Sequence, residues 1–166
     1  MATTYEPIAT TTLGASTSNY TFSSIPNTYT DLVLVVNSTV ATVNNSTYIQ
    51  FNGDSTGGNY SVTILSGTGS TVSTTRYSSY NTPYIEWNGV PGTSTNLNIT
   101  VVNIMNYSNS TTYKTFISRG NNSSYGTDAI VGLWRNTAAI NSIKIIQPTY
   151  TFNAGTTFTL YGIKAA

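Results

Sequence analysis

Apolar and polar positions alternate with a period of two along most of the chain. In the clearest run, Leu97, Ile99, Val101, Asn103, Met105 and Tyr107 share one face, and Asn96, Asn98, Thr100, Val102, Ile104 and Asn106 share the other. The first face is apolar and the second begins and ends polar, as expected of a half-buried strand. Leu32-Val33-Leu34-Val35-Val36 is apolar on both faces and predicts a central strand covered on both sides. Further strands are predicted over 8–13, 18–25, 46–52, 59–65, 84–88, 113–118, 129–134, 140–146 and 156–163. Turn signals separate them, among them Ile25-Pro26-Asn27, Asn52-Gly53-Asp54, Asn88-Gly89-Val90-Pro91-Gly92 and Gly120-Asn121-Asn122. About ten short strands at this spacing predict an all-β fold, a two-sheet antiparallel sandwich of jelly-roll type. Residues 65–82 are poor in apolar positions and predict a long loop or a weakly patterned edge strand. Residues 136–139 predict one helical turn or a wide hairpin.

The length, 166 residues and 17.8 kDa, suits one domain over 1–166 with one core. Val, Ile and Thr number 57, against 29 strong helix formers, which reinforces the strand reading. Ser, Thr and Asn supply 71 residues, yet the chain lacks the signature of disorder, because net charge is only +1 and 20 residues are aromatic. A surface solvated by hydroxyl and amide groups is nearly indifferent to ionic strength. Ten N-x-S/T sequons follow by chance from this composition, so glycosylation is not expected. The start, Met1 to Pro7, has no basic or apolar leader region, and no run of about 18 apolar residues occurs, so neither a signal peptide nor a membrane span is expected.

Charge and reactive side chains narrow the chemistry. The chain has no Cys and no His, which removes thiolate chemistry, Cys-bound metals and the commonest general base. Six scattered cations do not make the footprint of a nucleic-acid binder. Among five carboxylates, only Asp54 and Glu86 sit plausibly in one neighbourhood, against the plainer reading of solvated or turn-capping acids. Asn52-Gly53-Asp54-Ser55 lacks the Glu that completes a calcium loop and reads as an Asx turn in a hairpin. Gly67-Thr68-Gly69-Ser70 lacks the Gly-Lys-Ser/Thr ending of a phosphate loop and reads as a glycine-rich loop. No catalytic residue, metal ligand or cofactor is expected, and the chain reads as a binding or structural protein.

Two tryptophans carry the remaining candidate sites. Trp87, near Tyr84, and Trp134 are either core fillers or exposed rings that stack on a sugar. Arg135 beside Trp134 is either a surface residue or an anchor of a subunit interface. Three lysines are few for guarding the edges of a sandwich, so neighbouring subunits are expected to cover them.

Several segments are familiar. The opening Tyr5-Glu6-Pro7-Ile8-Ala9-Thr10-Thr11-Thr12-Leu13-Gly14, the run from Phe22 to Leu34, Ile104-Met105-Asn106-Tyr107, Val131-Gly132-Leu133-Trp134-Arg135, and the ending Phe158 to Ala166 resemble small virion proteins of tailed phages, especially marine and cyanobacterial ones. The resemblance spans nearly the whole chain and marks a β-sandwich, with no functional residue to carry over. It implies a structural protein at the virion surface, made in the host cytoplasm. A compact sandwich with neither coiled-coil nor β-helical shaft fits a capsid decoration (cement or head-fibre) protein, partnered by the major capsid protein and trimeric like many such caps. The alternative is a tail-fibre tip, partnered by a tail or fibre protein and recognising a host glycan.

Overall fold

β-Branched and aromatic residues at alternate positions build twelve strands in a computed structural model that describes residues 4–41, 46–87 and 95–164. They are β1 (Tyr5–Thr12), β2 (Asn19–Phe22), β3 (Asp31–Ser38), β4 (Thr47–Phe51), β5 (Tyr60–Gly67), β6 (Val72–Tyr80), β7 (Tyr84–Glu86), β8 (Asn98–Met105), β9 (Lys114–Asn122), β10 (Gly126–Trp134), β11 (Ile143–Ile146) and β12 (Thr157–Ile163). An eight-stranded sheet has the order β1-β12-β3-β8-β9-β10-β5-β6, and a four-stranded sheet the order β2-β11-β4-β7. Every strand pairing among the described residues is antiparallel. The chain is therefore an all-β two-sheet sandwich. No helix among the described residues is long and apolar enough to cross a membrane.

Each predicted strand has a counterpart within a few residues. The central-strand expectation for 32–36 holds for the sheet order, because β3 lies between β12 and β8, and Leu32, Val33, Leu34 and Val36 are buried, but Val35 on the outer face is only half-buried. Residues 65–82 resolve into the edge strand β6, joined to β5 by a tight hairpin. Thr68 N–H donates to Thr71 O (3.0 Å), and Gly69 takes the positive φ (85°) that the first central position of such a turn demands. Residues 136–139 form neither a helical turn nor a hairpin; they cross from β10 in the large sheet to β11 in the small one. The turn predicted at 88–92 lies outside the described residues.

The Asn52-Gly53 turn is real but joins no hairpin. Asn52 and Gly53 both have positive φ (52° and 68°), and Asp54 N–H donates to Phe51 O (2.9 Å). The strands on either side, β4 and β5, belong to different sheets, so the turn carries the chain across the sandwich. Asp54 does make an Asx turn, its Oδ1 accepting Thr56 N–H at 2.9 Å.

The core lies between the sheets and is richly aromatic. Trp134, at the end of β10, stacks on Tyr60 (6.2 Å, 14°) and tilts against Phe51 (5.5 Å). Phe116 of β9 lies over Gly132 of the adjacent β10, where a Cβ would stand 2.0 Å from its ring. Glycine at 132 thus makes room for the aromatic layer.

Candidate functional site

The half-buried strand β8 shows how the candidate surface arises. The row that turns inward is Asn98, Thr100, Val102 and Ile104, which begins polar. The more apolar row, Ile99, Val101 and Met105, faces outward with Asn103. A buried carboxylate explains the choice. Glu86 of β7 is fully enclosed, and Asn98 Nδ2 (2.7 Å), Thr100 Oγ1 and Thr47 Oγ1 all donate to it. Gln147 Nε2 donates in turn to Thr47 Oγ1 (2.7 Å). An enclosed acid must keep its donors inside, because a buried polar group without a partner costs several kcal/mol. The apolar row of β8 is left on the surface as a consequence.

The neighbouring strands extend that row. Ladder register aligns Val35, Val101, Arg119, Ala129 and Leu65 across the outer face, and aligns Val33, Asn103, Ile117 and Val131 beside them. Leu65 is 50% exposed, Val131 55% and Val72 77%. A depression of about 320 Å³ lies among Leu65, Val72, Arg119 and Ala129. Scattered exposed apolar residues are normal, whereas these lie in register across adjacent strands, which makes the band a candidate contact surface. Arg119 stands within the row, between Val101 and Ala129, and Arg76 lies on β6 opposite Thr63; arginine among apolar residues is common at interface centres.

The four residues singled out from sequence divide into two places. Trp134 is fully buried and its indole Nε1 donates to Asp54 Oδ2 (2.7 Å), so it is a core filler and stacks on no external sugar. Arg135 is half-buried and turned onto its own chain, with Nη1 donating to Gly58 O (3.1 Å) and Nη2 to Ser61 Oγ (3.0 Å). Tyr84 is buried, while Trp87 is half-buried. These two meet edge to face at 4.7 Å. Tyr48, Tyr77 and Tyr80 complete an aromatic cluster where β6 and β7 approach, with Tyr80 and Tyr84 hydroxyls 2.7 Å apart. Burial pushes the Tyr84 and Tyr48 phenols up, so both are neutral donors. Trp87 also joins Tyr125 around a cleft of about 100 Å³ whose other walls are Ser66, Gly67, Thr68, Thr71 and Ser73. Two aromatic residues and four hydroxyl-bearing ones around one cleft suit a neutral, hydroxylated ligand.

The carboxylate pairing expected from sequence does not form. Asp54 is held at the Trp134 end of β10, and Asp128, six residues earlier on that strand, sits beside Glu86 instead, so the two ends are about 20 Å apart. Asp128 Oδ2 accepts Trp87 N–H (2.6 Å), while its Oδ1 is buried without a partner. The alternation of β10 places Asp128 in line with the inward Ile130, Gly132 and Trp134, the one signal in the sequence that it faces the core. Burial pushes Asp128 up, Trp87 N–H pulls it down and Glu86 raises it further, leaving it at about 7.

No family model matches the chain, and no curated protein matches it significantly.

Proposed function

We propose that this chain is a structural protein of a tailed-phage particle, a decoration protein that docks on the capsid lattice and stabilises it. The observation that supports this reading best is the apolar band on the outer face of the large sheet. A chain with 11 charged residues and no His or Cys carries little chemistry, but it presents a broad sheet face for contact. Repetition on a lattice multiplies modest contacts by avidity, so each copy needs only a small apolar footprint. The resemblance to small virion proteins supplies the setting, the particle surface. The copies are homo-oligomeric, and their partner is the major capsid protein.

The test is the particle itself. Antibody against the purified protein is expected to label capsids along their whole surface at many copies each, and a handful of copies at the tail would sink the reading. A Leu65→Lys/Val131→Lys variant places two charges in the band. Each change is at the surface and is expected to alter stability by no more than about 0.5 kcal/mol. The variant is therefore expected to fold normally and to fail to decorate particles lacking the native protein. Wild-type occupancy by this variant would show that the band is not the docking face.

A second reading, a fibre tip that binds a host glycan, is favoured by the Trp87–Tyr125 cleft and the Ser and Thr residues that line it. Under it, purified protein blocks adsorption to host cells and Trp87→Ala abolishes the block.

A further inference from the structure

The sandwich has four sheet edges, and three are closed. β1 carries Pro7 and a register shift between Pro7 and Ala9. β2 is four residues long. β7 is three residues long, and side chains of the large sheet bond its flank: Ser118 Oγ donates to Ile85 O (2.6 Å) and Asp128 Oδ2 accepts Trp87 N–H. Short strands, prolines and bulges are the usual means of closing an edge to foreign strands. β6 has none of them over its first five residues. It runs nine residues without proline, its single charge is Arg76, and the register shift in its ladder lies beyond Val62, past Tyr77. No described strand pairs with its free side.

The hairpin turn sets the phase of that free side. Thr68 and Thr71 form a hydrogen-bonded pair, so the register puts Ser73 and Thr75 in the pairs that bond β5. Val72, Thr74 and Arg76 therefore point their N–H and C=O groups away from the sheet. These three residues also lie on the outer face, opposite Gly67, Leu65 and Thr63. A strand that added here would cover the highly exposed Val72 and flank Leu65.

We infer that the occupant is the β6 strand of a second copy, paired antiparallel about a two-fold axis through Thr74. In this register Thr74 faces Thr74 of the other copy, and Val72 faces Arg76 of the other copy. Cross-strand Thr–Thr pairs are favourable, and no like charges stand opposite each other. The three outward residues of each copy exchange about six hydrogen bonds. Pairing β6 with β1 of another copy would instead give an open, head-to-tail fibre and would meet Pro7. The isologous pair closes on itself. A net charge of +1 opposes it little. The two large sheets become one sheet of sixteen strands, and the apolar bands of both copies run side by side across it. A two-fold dimer thus replaces the trimer that the resemblance implies, and it does so whether or not the assembly sits on a capsid.

Sedimentation of the full-length protein tests this. Wild type is expected to be dimeric at micromolar concentration. Thr74→Pro removes one outward N–H that serves no bond within the monomer, and proline is tolerated on an edge strand in that position. Thr74→Lys sets two cations face to face on the axis. Each is expected to raise the dimer dissociation constant at least tenfold while leaving far-ultraviolet circular dichroism unchanged. Should Thr74→Pro fail to fold, Thr74→Lys and a third variant decide. Thr74→Cys introduces the only thiol in the chain, so mild oxidation is expected to yield a covalent dimer with wild-type sedimentation. A monomeric or trimeric wild type, or a dimer that persists in Thr74→Lys, overturns the inference.

Discussion

Truncating Trp134 to alanine is expected to lower the unfolding free energy by about 3–5 kcal/mol, a large part of the roughly 5–15 kcal/mol that holds such a domain. The indole is fully buried, stacks on Tyr60 and tilts against Phe51. Its removal opens a cavity in an aromatic layer whose rings are pinned from several strands and relax little. It also takes away the N–H that Asp54 accepts. Burial alone would push Asp54 up, but donation from Trp134, Thr56 and Asn59 outweighs it and holds the carboxyl at about 2. A depressed carboxyl stabilises the fold above its ordinary value of 3.8, and that contribution disappears as pH falls through about 2. Trp134→Phe keeps most of the packing and loses the N–H, so its deficit is expected to narrow in acid while that of Trp134→Ala persists. Urea titrations at pH 7 and pH 3 measure both. An alanine variant within 1 kcal/mol of wild type would mean that the aromatic layer is not the centre of the core.

Stability is expected to fall as pH rises from 4 to 8, the opposite of the usual acid sensitivity. The cause is Asp128, moved from 3.8 to about 7 by burial and by the neighbouring Glu86. A raised carboxyl binds its proton more tightly folded than unfolded. The folded state is therefore favoured fully below about pH 4, and the advantage is lost as pH climbs to about 7. That interval corresponds to about 4 kcal/mol. Glu86 is also pushed up by burial, against the three donors that favour its charged form, and acts in the same direction. Asp128→Asn retains a carbonyl oxygen for Trp87 N–H and removes the charge. It is expected to flatten the pH dependence and to be more stable than wild type at pH 8. Urea midpoints at pH 5 and pH 8 for the two proteins decide it; equal slopes would acquit Asp128.

These carboxylates also show where reading the residues in order stops. The strands were legible because alternation is a local property: successive side chains point to opposite faces whatever the strand pairs with. Even β6 was legible as a candidate edge, since a strand covered on few sides needs few apolar residues. Which face of β8 turns inward was not. Its apolar content points to the row of Ile99, Val101 and Met105 as the buried one, and the structure turns the other row inward; that choice was made by Glu86, 12 residues from Asn98 and 39 from Thr47. Asp54 and Glu86 looked like neighbours because 32 residues of β-rich chain can fold back on themselves; the turn at Asn52-Gly53 sends them to different ends of β10 instead. Trp134 and Trp87 carry equal weight in the sequence, yet one is sealed between sheets and the other sits at an edge.

The residue order by itself determined the class of fold, the absence of thiol and imidazole chemistry, and the central place of β3. Each depends on composition or on spacing within one strand. Strand order, the closing of three edges and the opening of a fourth, and the turning of an apolar band toward solvent were decided only in three dimensions. They arise from pairings between residues far apart in the chain, whose free energies depend on which groups are buried together.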